Sequence, residues 1–335
     1  MKYLGFIFLS IISTALSANE VDQNGKIYNQ RDCFSGPFTS YDNWINFMER
    51  KFSRKIKNPE LLKNKMDGFK KQFDKDEFNT YSNNLSCTNF TYNVEGTDVL
   101  GFVIKPKEST TDLPVIVYNR GGNGNFGGVV FGAMMNNLFP IANKGFVIVG
   151  SQYRGTFGSP DKGEQDQFGG SDVQDVVGLV NLIGEFDGAD TSKIGMLGAS
   201  RGGMQSFLAL KQLNNIKAVA TIALNADLNA DLATRPEMEK VYKHRIPGYK
   251  GNENKKLAER SVINWVDKLP SGVPILLIHG ENDVRVSASH SKTFAKALKE
   301  TEIEHKLVIY ADNHFISSNT TKAHNEITKW FTENL

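Results

Sequence analysis

The 335-residue sequence lacks the features that mark several large classes of protein. Lysine plus arginine number 39 and aspartate plus glutamate 37, so the formal charge is only +2, and no basic stripe with interleaved aromatic residues indicates nucleic-acid binding. Histidine and cysteine are scarce, at 6 and 2 residues, and their spacings match no metal-ligand motif. No internal repeat or low-complexity tract is present. The composition is that of a globular protein, and it implies no metal or organic cofactor.

Long hydrophobic runs are absent except at the N-terminus. Met1 and Lys2 precede a mostly apolar stretch at residues 3–12, and small residues follow it. A positive start, a short apolar core and small residues are typical of a secretory signal peptide, so residues 1–18 are predicted to be removed from an exported, periplasmic or extracellular protein. The apolar stretch is short for a membrane span, and a weak anchor helix is the alternative. The mature chain is predicted to contain no membrane span.

The two cysteines, Cys33 and Cys87, both lie in the N-terminal part of the predicted mature chain. Two cysteines allow a single pairing, and an oxidising compartment permits it. Export therefore favours a Cys33–Cys87 disulfide. Two buried thiols are the alternative.

The chain divides into a helical part and a larger part in which strands and helices alternate. Apolar residues recur close to helical spacing at residues 42–52 and 59–73, which predicts a helical N-terminal segment over residues 19–87. Residues 88–335 carry short, nearly continuous apolar runs between helix-like stretches, the pattern of a mostly parallel sheet with helices on both faces. Polar, helix-prone residues 225–270 interrupt this alternation and are predicted to form an insertion over the site.

The strongest chemical signal is a serine between glycines. A predicted strand at residues 194–197 runs into Gly198-Ala-Ser-Arg-Gly202, and a helix-like stretch follows. This fits the Gly-x-Ser-x-Gly nucleophile elbow, in which Ser200 occupies a sharp turn that requires small residues on either side. The helix start would aim the backbone N–H of Arg201 at a developing negative charge. A glycine-rich turn with a capping serine is the structural alternative.

A nucleophilic serine needs a base and an orienting acid, which this fold supplies in the order serine, acid, histidine. Asp283 and His314 each follow a predicted strand of the sheet, at its carboxyl end, where such sheets bind ligands. The order Ser200, Asp283, His314 therefore predicts a catalytic triad. Glu281 lies in the same loop as Asp283 but less deep in it, and is the weaker candidate for the acid.

The remaining histidines are predicted to be structural. His279 ends a strand and is expected to be packed or hydrogen-bonded, and His244, in the insertion, has no paired acid. Arg154, after another strand, is expected to anchor a loop through a carboxylate. The other three histidines fall in predicted helices or at a strand start: His290, His305 and His324.

Together these stretches resemble the catalytic domain of the prolyl oligopeptidase (S9-type) family of serine peptidases, over roughly residues 100–335. The resemblance implies an α/β-hydrolase fold in which Ser200 is the nucleophile, Asp283 the acid and His314 the base. Four motifs carry it: Gly198-Ala-Ser-Arg-Gly-Gly203, Ser151-Gln-Tyr-Arg-Gly155, Phe168-Gly-Gly-Ser-Asp172, and His279-Gly-Glu-Asn-Asp283 with the later His314.

The resemblance also implies a second oxyanion donor in the loop at residues 118–124. The family often uses a tyrosine just before a Gly-Gly turn, but here aligning the glycines places Arg120 at that position. Either the Tyr118 hydroxyl or the backbone N–H groups of Gly121 and Gly122 are then the second donor, and the alignment favours the backbone.

The sequence therefore predicts an exported serine hydrolase, a peptidase that acts on peptides or on small esters and amides through an acyl-enzyme. A carboxylesterase is the close alternative, because the same triad cleaves esters and amides. A non-catalytic binding protein on a hydrolase scaffold is a remote alternative, which an intact triad in the required order disfavours. No oligomeric state follows from the sequence.

Overall fold

The computed structural model of the protein describes residues 25–157 and 164–335, so the predicted signal peptide lies outside the described residues. Within them, nine strands form one sheet. In chain order the strands are β1 (Ile27–Asp32), β2 (Leu85–Val94), β3 (Thr97–Pro106), β4 (Leu113–Asn119), β5 (Val147–Ser151), β6 (Ala189–Ala199), β7 (Ile216–Ile222), β8 (Ile275–Gly280) and β9 (His305–Tyr310).

The sheet order is β1-β2-β3-β5-β4-β6-β7-β8-β9. Pairing is antiparallel from β1 to β5 and parallel from β5 to β9. The predicted α/β-hydrolase fold with a mostly parallel sheet is confirmed. The parallel strands β5 and β8 are buried along their whole length, and such strands read in the sequence as continuous apolar runs.

Helices cover both faces of the sheet. They are α1 (Tyr41–Ser53), α2 (Pro59–Gln72), α3 (Lys75–Asn84), α4 (Phe131–Ala133), α5 (Phe139–Ala142), α6 (Asp172–Asn181), α7 (Arg201–Leu210), α8 (Leu228–Thr234), α9 (Met238–Arg245), α10 (Glu253–Ala258), α11 (Ser289–Lys299) and α12 (Thr320–Asn334). A π-helical turn, Met134–Leu138, joins α4 to α5, and a 3-10 segment, Val262–Lys268, follows α10. In the part of the chain that the structure describes, no helix is long and apolar enough to cross a membrane.

Two apolar clusters form the core, one on each face. The first packs α6, α7, α11 and the insertion, with its helices α8 to α10, against the sheet. The second packs α1 to α5 and α12 against the opposite face. The predicted insertion at residues 225–270 is helical and lies between β7 and β8.

The N-terminal helices are held by aromatic packing around Phe131. The rings of Trp44 and Phe38 lie 5.0 and 4.3 Å from the Phe131 ring, and Phe78 lies 6.0 Å from it. Such pairs contribute about 0.5–1.5 kcal/mol each beyond their buried area. The helices of the N-terminal segment therefore fix the position of α4 and of the π-helical turn that follows it.

Three elements of this region differ from the prediction. β1 lies within the segment predicted to be helical, yet it is a strand that pairs with β2 at the sheet edge. Only Ile27 of its six residues is buried, so no alternation of apolar and polar residues marks it in the sequence. A third helix, α3, is capped by Asp74, whose carboxylate accepts the N–H groups of Asp76 and Glu77. β2 begins at Leu85, three residues before the predicted start of the strand region.

Cys33 and Cys87 form a disulfide in the structure, with Cα atoms 5.3 Å apart. Cys33 follows β1, Cys87 lies in β2, and both are buried in the second apolar cluster. The bridge spans a sequence separation of 54 residues that contains α1, α2 and α3.

Replacing both cysteines by serine is expected to destabilise the protein by about 4 kcal/mol, because a loop of this length would gain conformational freedom when unfolded. Thermal or urea unfolding of the double variant measures the loss. Mass spectrometry of the unreduced mature protein is the control. Two free thiols there, or an unchanged unfolding midpoint, would contradict the prediction.

Candidate active site

Ser200 stands on a strained turn between β6 and α7. Its φ is 55°, a left-handed value that a non-glycine residue adopts only when its surroundings impose it. The neighbouring glycines leave no room for a side chain: a Cβ on Gly202 would lie 1.9 Å from the Asn119 carbonyl oxygen, and one on Gly198 2.5 Å from that of Gly202. The close packing that the sequence motif predicts is therefore present.

Asp283 and His314 are joined by a short hydrogen bond. His314 Nδ1 lies 2.6 Å from Asp283 Oδ2, and the backbone N–H groups of Arg285 and Val286 donate to Oδ1 at 2.7 and 3.0 Å. Burial alone would raise the pKa of Asp283, but hydrogen bonds from His279, His314 and Val286 outweigh it and hold the pKa well below its usual range. Asp283 is therefore ionised and oriented toward His314.

His279 supports the same carboxylate from the opposite side. Its Nε2 lies 3.2 Å from Asp283 Oδ2 and 2.9 Å from the carbonyl oxygen of Val286. A carbonyl only accepts, so Nε2 carries the proton and Nδ1 accepts from the Ser291 hydroxyl at 2.7 Å. The sequence predicted a packed or hydrogen-bonded His279 but not its contact with Asp283.

Ser200 and His314 border one cavity of about 800 Å³. Ser200 Oγ makes no hydrogen bond to His314 or to any other described residue. In substrate-free hydrolases this bond is often long and tightens when substrate binds. The cavity is walled by the loop at residues 121–129, by the insertion through Asn225, Arg235 and Met238, and by α12. The insertion therefore lies over the site, as predicted.

The glycine loop after β4 approaches Ser200 closely. A Cβ on Gly121 would lie 3.1 Å from the Cβ of Ser200 and 3.0 Å from the carbonyl oxygen of Ala199. Arg120 is buried beneath the loop and donates to the carbonyl oxygens of Gly121 and Gly124 at 3.0 and 2.8 Å. The carbonyl of Gly121 and the N–H of Gly122 belong to the same trans peptide and point in opposite directions. Because the carbonyl faces Arg120, the N–H of Gly122 points away from Arg120.

Tyr118 also borders the cavity but is held by packing. Its side chain packs against the second apolar cluster, and its hydroxyl makes no hydrogen bond within the described residues. Burial raises the pKa of Tyr118 to about 12, so the hydroxyl keeps its proton. Arg120, at the position of the family's tyrosine, is a loop anchor: it donates to the carbonyl oxygen of Gln152 through Nε and Nη2, at 2.9 and 2.6 Å.

The side chain of Arg201 ties the elbow to the surrounding loops. It donates to both oxygens of Asp166 at 2.6 and 2.7 Å, to Asp172 at 2.6 Å and to the carbonyl oxygen of Gly122 at 2.8 Å. Its backbone N–H is the first of α7 and has no partner within the helix. The nearby Arg154 pairs with buried Asp175 at 2.7 and 2.9 Å, so its predicted role as a loop anchor is confirmed.

The alternative acid, Glu281, and three of the remaining histidines lie in different surroundings, and of these only His324 borders the cavity. Glu281 is exposed and paired with Lys292 at 2.8 Å, away from His314. The ring of His290 accepts the N–H of Asp227 at 3.3 Å, and that of His305 contacts the Ile303 carbonyl oxygen at 2.9 Å. His324 is buried and borders the cavity, which the sequence did not predict.

No group of three or more histidine, cysteine, aspartate or glutamate residues in residues 25–157 and 164–335 could hold a metal ion.

Comparison with known proteins identifies the relatives of this chain. The sequence profile of the prolyl oligopeptidase family matches residues 132–335. An uncharacterized peptidase of Bacillus subtilis, YtmA, is 25% identical over 261 residues, which cover 77% of this chain and 97% of that protein. Dipeptidyl-peptidase 5 of Porphyromonas gingivalis is 26% identical over 231 residues, which cover 66% of this chain and 34% of that protein.

The acylaminoacyl peptidase of Pyrococcus horikoshii has a similar structure, with a TM-score of 0.61 and 23% sequence identity. The match covers 75% of this chain and 42% of the Pyrococcus chain. It shows that the two proteins share a fold. The chain thus spans about a third of the length of the Porphyromonas relative, two fifths of the Pyrococcus one and nearly all of the Bacillus one.

Asp283→Asn is expected to lower turnover by about 10⁴-fold, the scale observed when the orienting carboxylate of such a triad is lost. Glu281→Gln, the matched control in the same loop, is expected to be nearly neutral because Glu281 pairs only with exposed Lys292. Steady-state kinetics on one substrate compare the two variants. The reverse ranking would reassign the acid to Glu281.

Proposed function

The chain is a serine-type hydrolase that belongs to the prolyl oligopeptidase family, and from this premise we propose that it is an exported peptidase with Ser200, His314 and Asp283 as its triad. The observation that carries the triad is the 2.6 Å hydrogen bond between His314 and Asp283 at the cavity that Ser200 borders. Export is supported by the signal-peptide pattern of residues 1–18 and by a disulfide that suits an oxidising compartment.

The hydrogen bond between His314 and Asp283 supports the following proton transfers. Nδ1 of His314 donates to Asp283, which leaves Nε2 to accept the proton of Ser200 as the hydroxyl attacks the carbonyl carbon. The same Nε2 then protonates the leaving amine, and an acyl-enzyme forms on Ser200. A water molecule, activated in turn by His314, hydrolyses the acyl-enzyme. Asp283 stays ionised throughout and stabilises the His314 cation.

Two backbone N–H groups are suited to bind the oxyanion. Arg201 supplies one from the first position of α7, where the helix dipole also favours negative charge. Gly122 supplies the other, because Arg120 and Arg201 hold the carbonyl oxygens of Gly121 and Gly122 and thereby set the orientation of the loop. The packed Tyr118 is not needed as a donor.

The charges around the cavity favour substrates without a free amino group at the site. Among the described residues that border the cavity there is no aspartate or glutamate, whereas Arg235 and Arg285 border it. The two glutamates that follow Arg235 in the insertion are each paired with a basic side chain: Glu239 with Lys243 at 3.0 Å, and the exposed Glu237 with Arg235 at 3.6 Å. A substrate ammonium group would find no carboxylate partner, so we favour an acylated or internal peptide bond, in keeping with the name of the Pyrococcus relative.

A fluorophosphonate probe is expected to label Ser200, and Ser200→Ala is expected to abolish both labelling and turnover. Matched substrates then define the reaction: an acetylated peptide amide, the same peptide with a free amino end, and a simple ester. The acetylated peptide should be cleaved at least tenfold faster than the free one. Full labelling of the Ser200→Ala protein would refute the nucleophile. Turnover of the ester alone would indicate a carboxylesterase, and preference for the free amine would contradict the charge argument.

Substitutions in the glycine loop separate the two candidate oxyanion donors. Tyr118→Phe is expected to lower turnover by less than tenfold, since only an unpartnered hydroxyl is removed. Gly121→Ala is expected to lower it by about 10²–10³-fold, the cost of losing one donor, because the new methyl displaces the loop from Ser200. Turnover number and substrate affinity are measured for both variants, with circular dichroism as a folding control. A hundredfold loss in Tyr118→Phe would assign the donor to the hydroxyl.

A further inference from the structure

The cavity reaches the sheet face opposite α7, where apolar and uncharged polar side chains meet. We call this region the side pocket. Its apolar wall comes from the ends of β6 and β7 and from α5 and α12, through Leu197, Ile222, Ile141 and Ile327. Its polar groups include Asn136 and Asn137 from the π-helical turn, His324 and Thr320 from α12, and Tyr118 from β4, the register neighbour of Leu197.

His324 is a buried polar group without a partner. Only 8% of the residue is exposed, and its ring makes no hydrogen bond to any residue in the described part of the chain. The other buried histidines, His279 and His290, both have hydrogen-bond partners. Burial, with a smaller contribution from Lys144, lowers the pKa of His324 to about 4, so the ring is neutral and offers one donor and one acceptor. The ring borders the cavity, so a ligand that covered its nitrogen atoms without forming a hydrogen bond would desolvate them at a cost.

The π-helical turn places two amides at the same pocket. Pro140 has no N–H to continue the regular helical ladder, and the N–H of Phe139 instead donates five residues back to Met134. Single π turns of this kind are found frequently at functional sites. The side-chain amide of Asn136 donates to the side-chain oxygen of Asn137 at 2.9 Å. The side-chain oxygen of Asn136 and the remaining side-chain N–H groups of both residues are then left for a ligand.

The charges of the cavity lie outside the side pocket. The three arginines that border the cavity belong to the elbow, the insertion and the Asp283 loop, and no lysine, aspartate or glutamate of the described residues borders it. A charged ligand group in the side pocket would lose its hydration without compensation. A wholly apolar group would leave His324 unpaired. The residues present therefore fit an apolar body that ends in an uncharged hydrogen-bonding group.

We propose that the side pocket is a specificity site that binds the tyrosine side chain of a substrate, and that His324 selects it by a hydrogen bond to the phenol. Tyrosine combines an apolar ring with a neutral hydroxyl that both donates and accepts. The proposal rests on the proposed function, because the tyrosine side chain would belong to a peptide substrate. Binding of a tyrosine analogue to the side pocket, however, requires no catalytic turnover.

Binding of side-chain analogues to the Ser200→Ala protein tests the site without catalysis. The probes are p-cresol, which represents tyrosine, and toluene, which represents phenylalanine, with affinities measured by ligand-observed NMR. One hydrogen bond to a buried group corresponds to about a tenfold preference for p-cresol. His324→Leu should remove this preference, and His324→Gln, which keeps a polar end, should retain part of it. His305→Gln, outside the cavity, is the matched control and should change nothing.

The second measurement uses acetylated peptides that differ only by tyrosine or phenylalanine at each position beside the cleaved bond. One position should show a tenfold preference for tyrosine in the wild-type protein and none in His324→Leu. Asn137→Leu provides a second variant should His324→Leu fold poorly, and fluorophosphonate labelling reports an intact elbow in each. Equal affinity for the two probes, or an unchanged preference in both variants, overturns the proposal. Binding of p-cresol without cleavage of any peptide would refute the proposed function and leave the pocket assignment standing.

Discussion

The buried guanidinium of Arg201 is the interaction on which the geometry of the site depends. Arg201 follows Ser200 directly, and its side chain binds Asp166, Asp172 and the carbonyl oxygen of Gly122. It therefore joins the elbow, the glycine loop and the start of α6 at one point. Removing one partner of a buried ion pair leaves an uncompensated charge, which commonly costs 3–5 kcal/mol. The three segments are thus held to one another by a single buried side chain.

The carboxylates of this network are saturated by backbone groups as well. Asp166 accepts the N–H of Gly124 at 2.8 Å, and Asp172 accepts those of Gly169 and Gly170. Burial would raise the pKa of Asp166, but Arg201 and two backbone N–H groups lower it well below its usual range. Each of these two carboxylates therefore holds backbone N–H groups of a loop in place, while Arg201 compensates its negative charge. The N–H groups of Arg201 and Gly122, which we propose as oxyanion donors, belong to segments that this network joins, an arrangement that would limit reorganisation when negative charge develops.

The sequence predicts the elements with strong local signals and misses those defined by contacts between distant residues. The elbow was predictable because the sharp turn requires glycine at fixed positions on either side of the serine. Asp283 and His314 were predictable because parallel strands bring their carboxyl ends to one edge of the sheet. β1 was missed because its pairing with β2, and not its own pattern, makes it a strand. The contact of His279 with Asp283 and the exposure of His324 to the cavity depend on tertiary packing, which no spacing rule encodes.

The N-terminal helices contribute to the site through the same packing. Gln72, at the end of α2, borders the cavity, and the aromatic cluster around Phe131 fixes the helix that carries the π-helical turn. The disulfide links the start of this segment, at Cys33, to Cys87 in strand β2 of the sheet. Residues of the N-terminal segment therefore contribute to the cavity wall. Because core packing tolerates little change in volume, a substitution in the Phe131 cluster would be transmitted to Asn136 and Asn137, and so would change the shape of the cavity beside them.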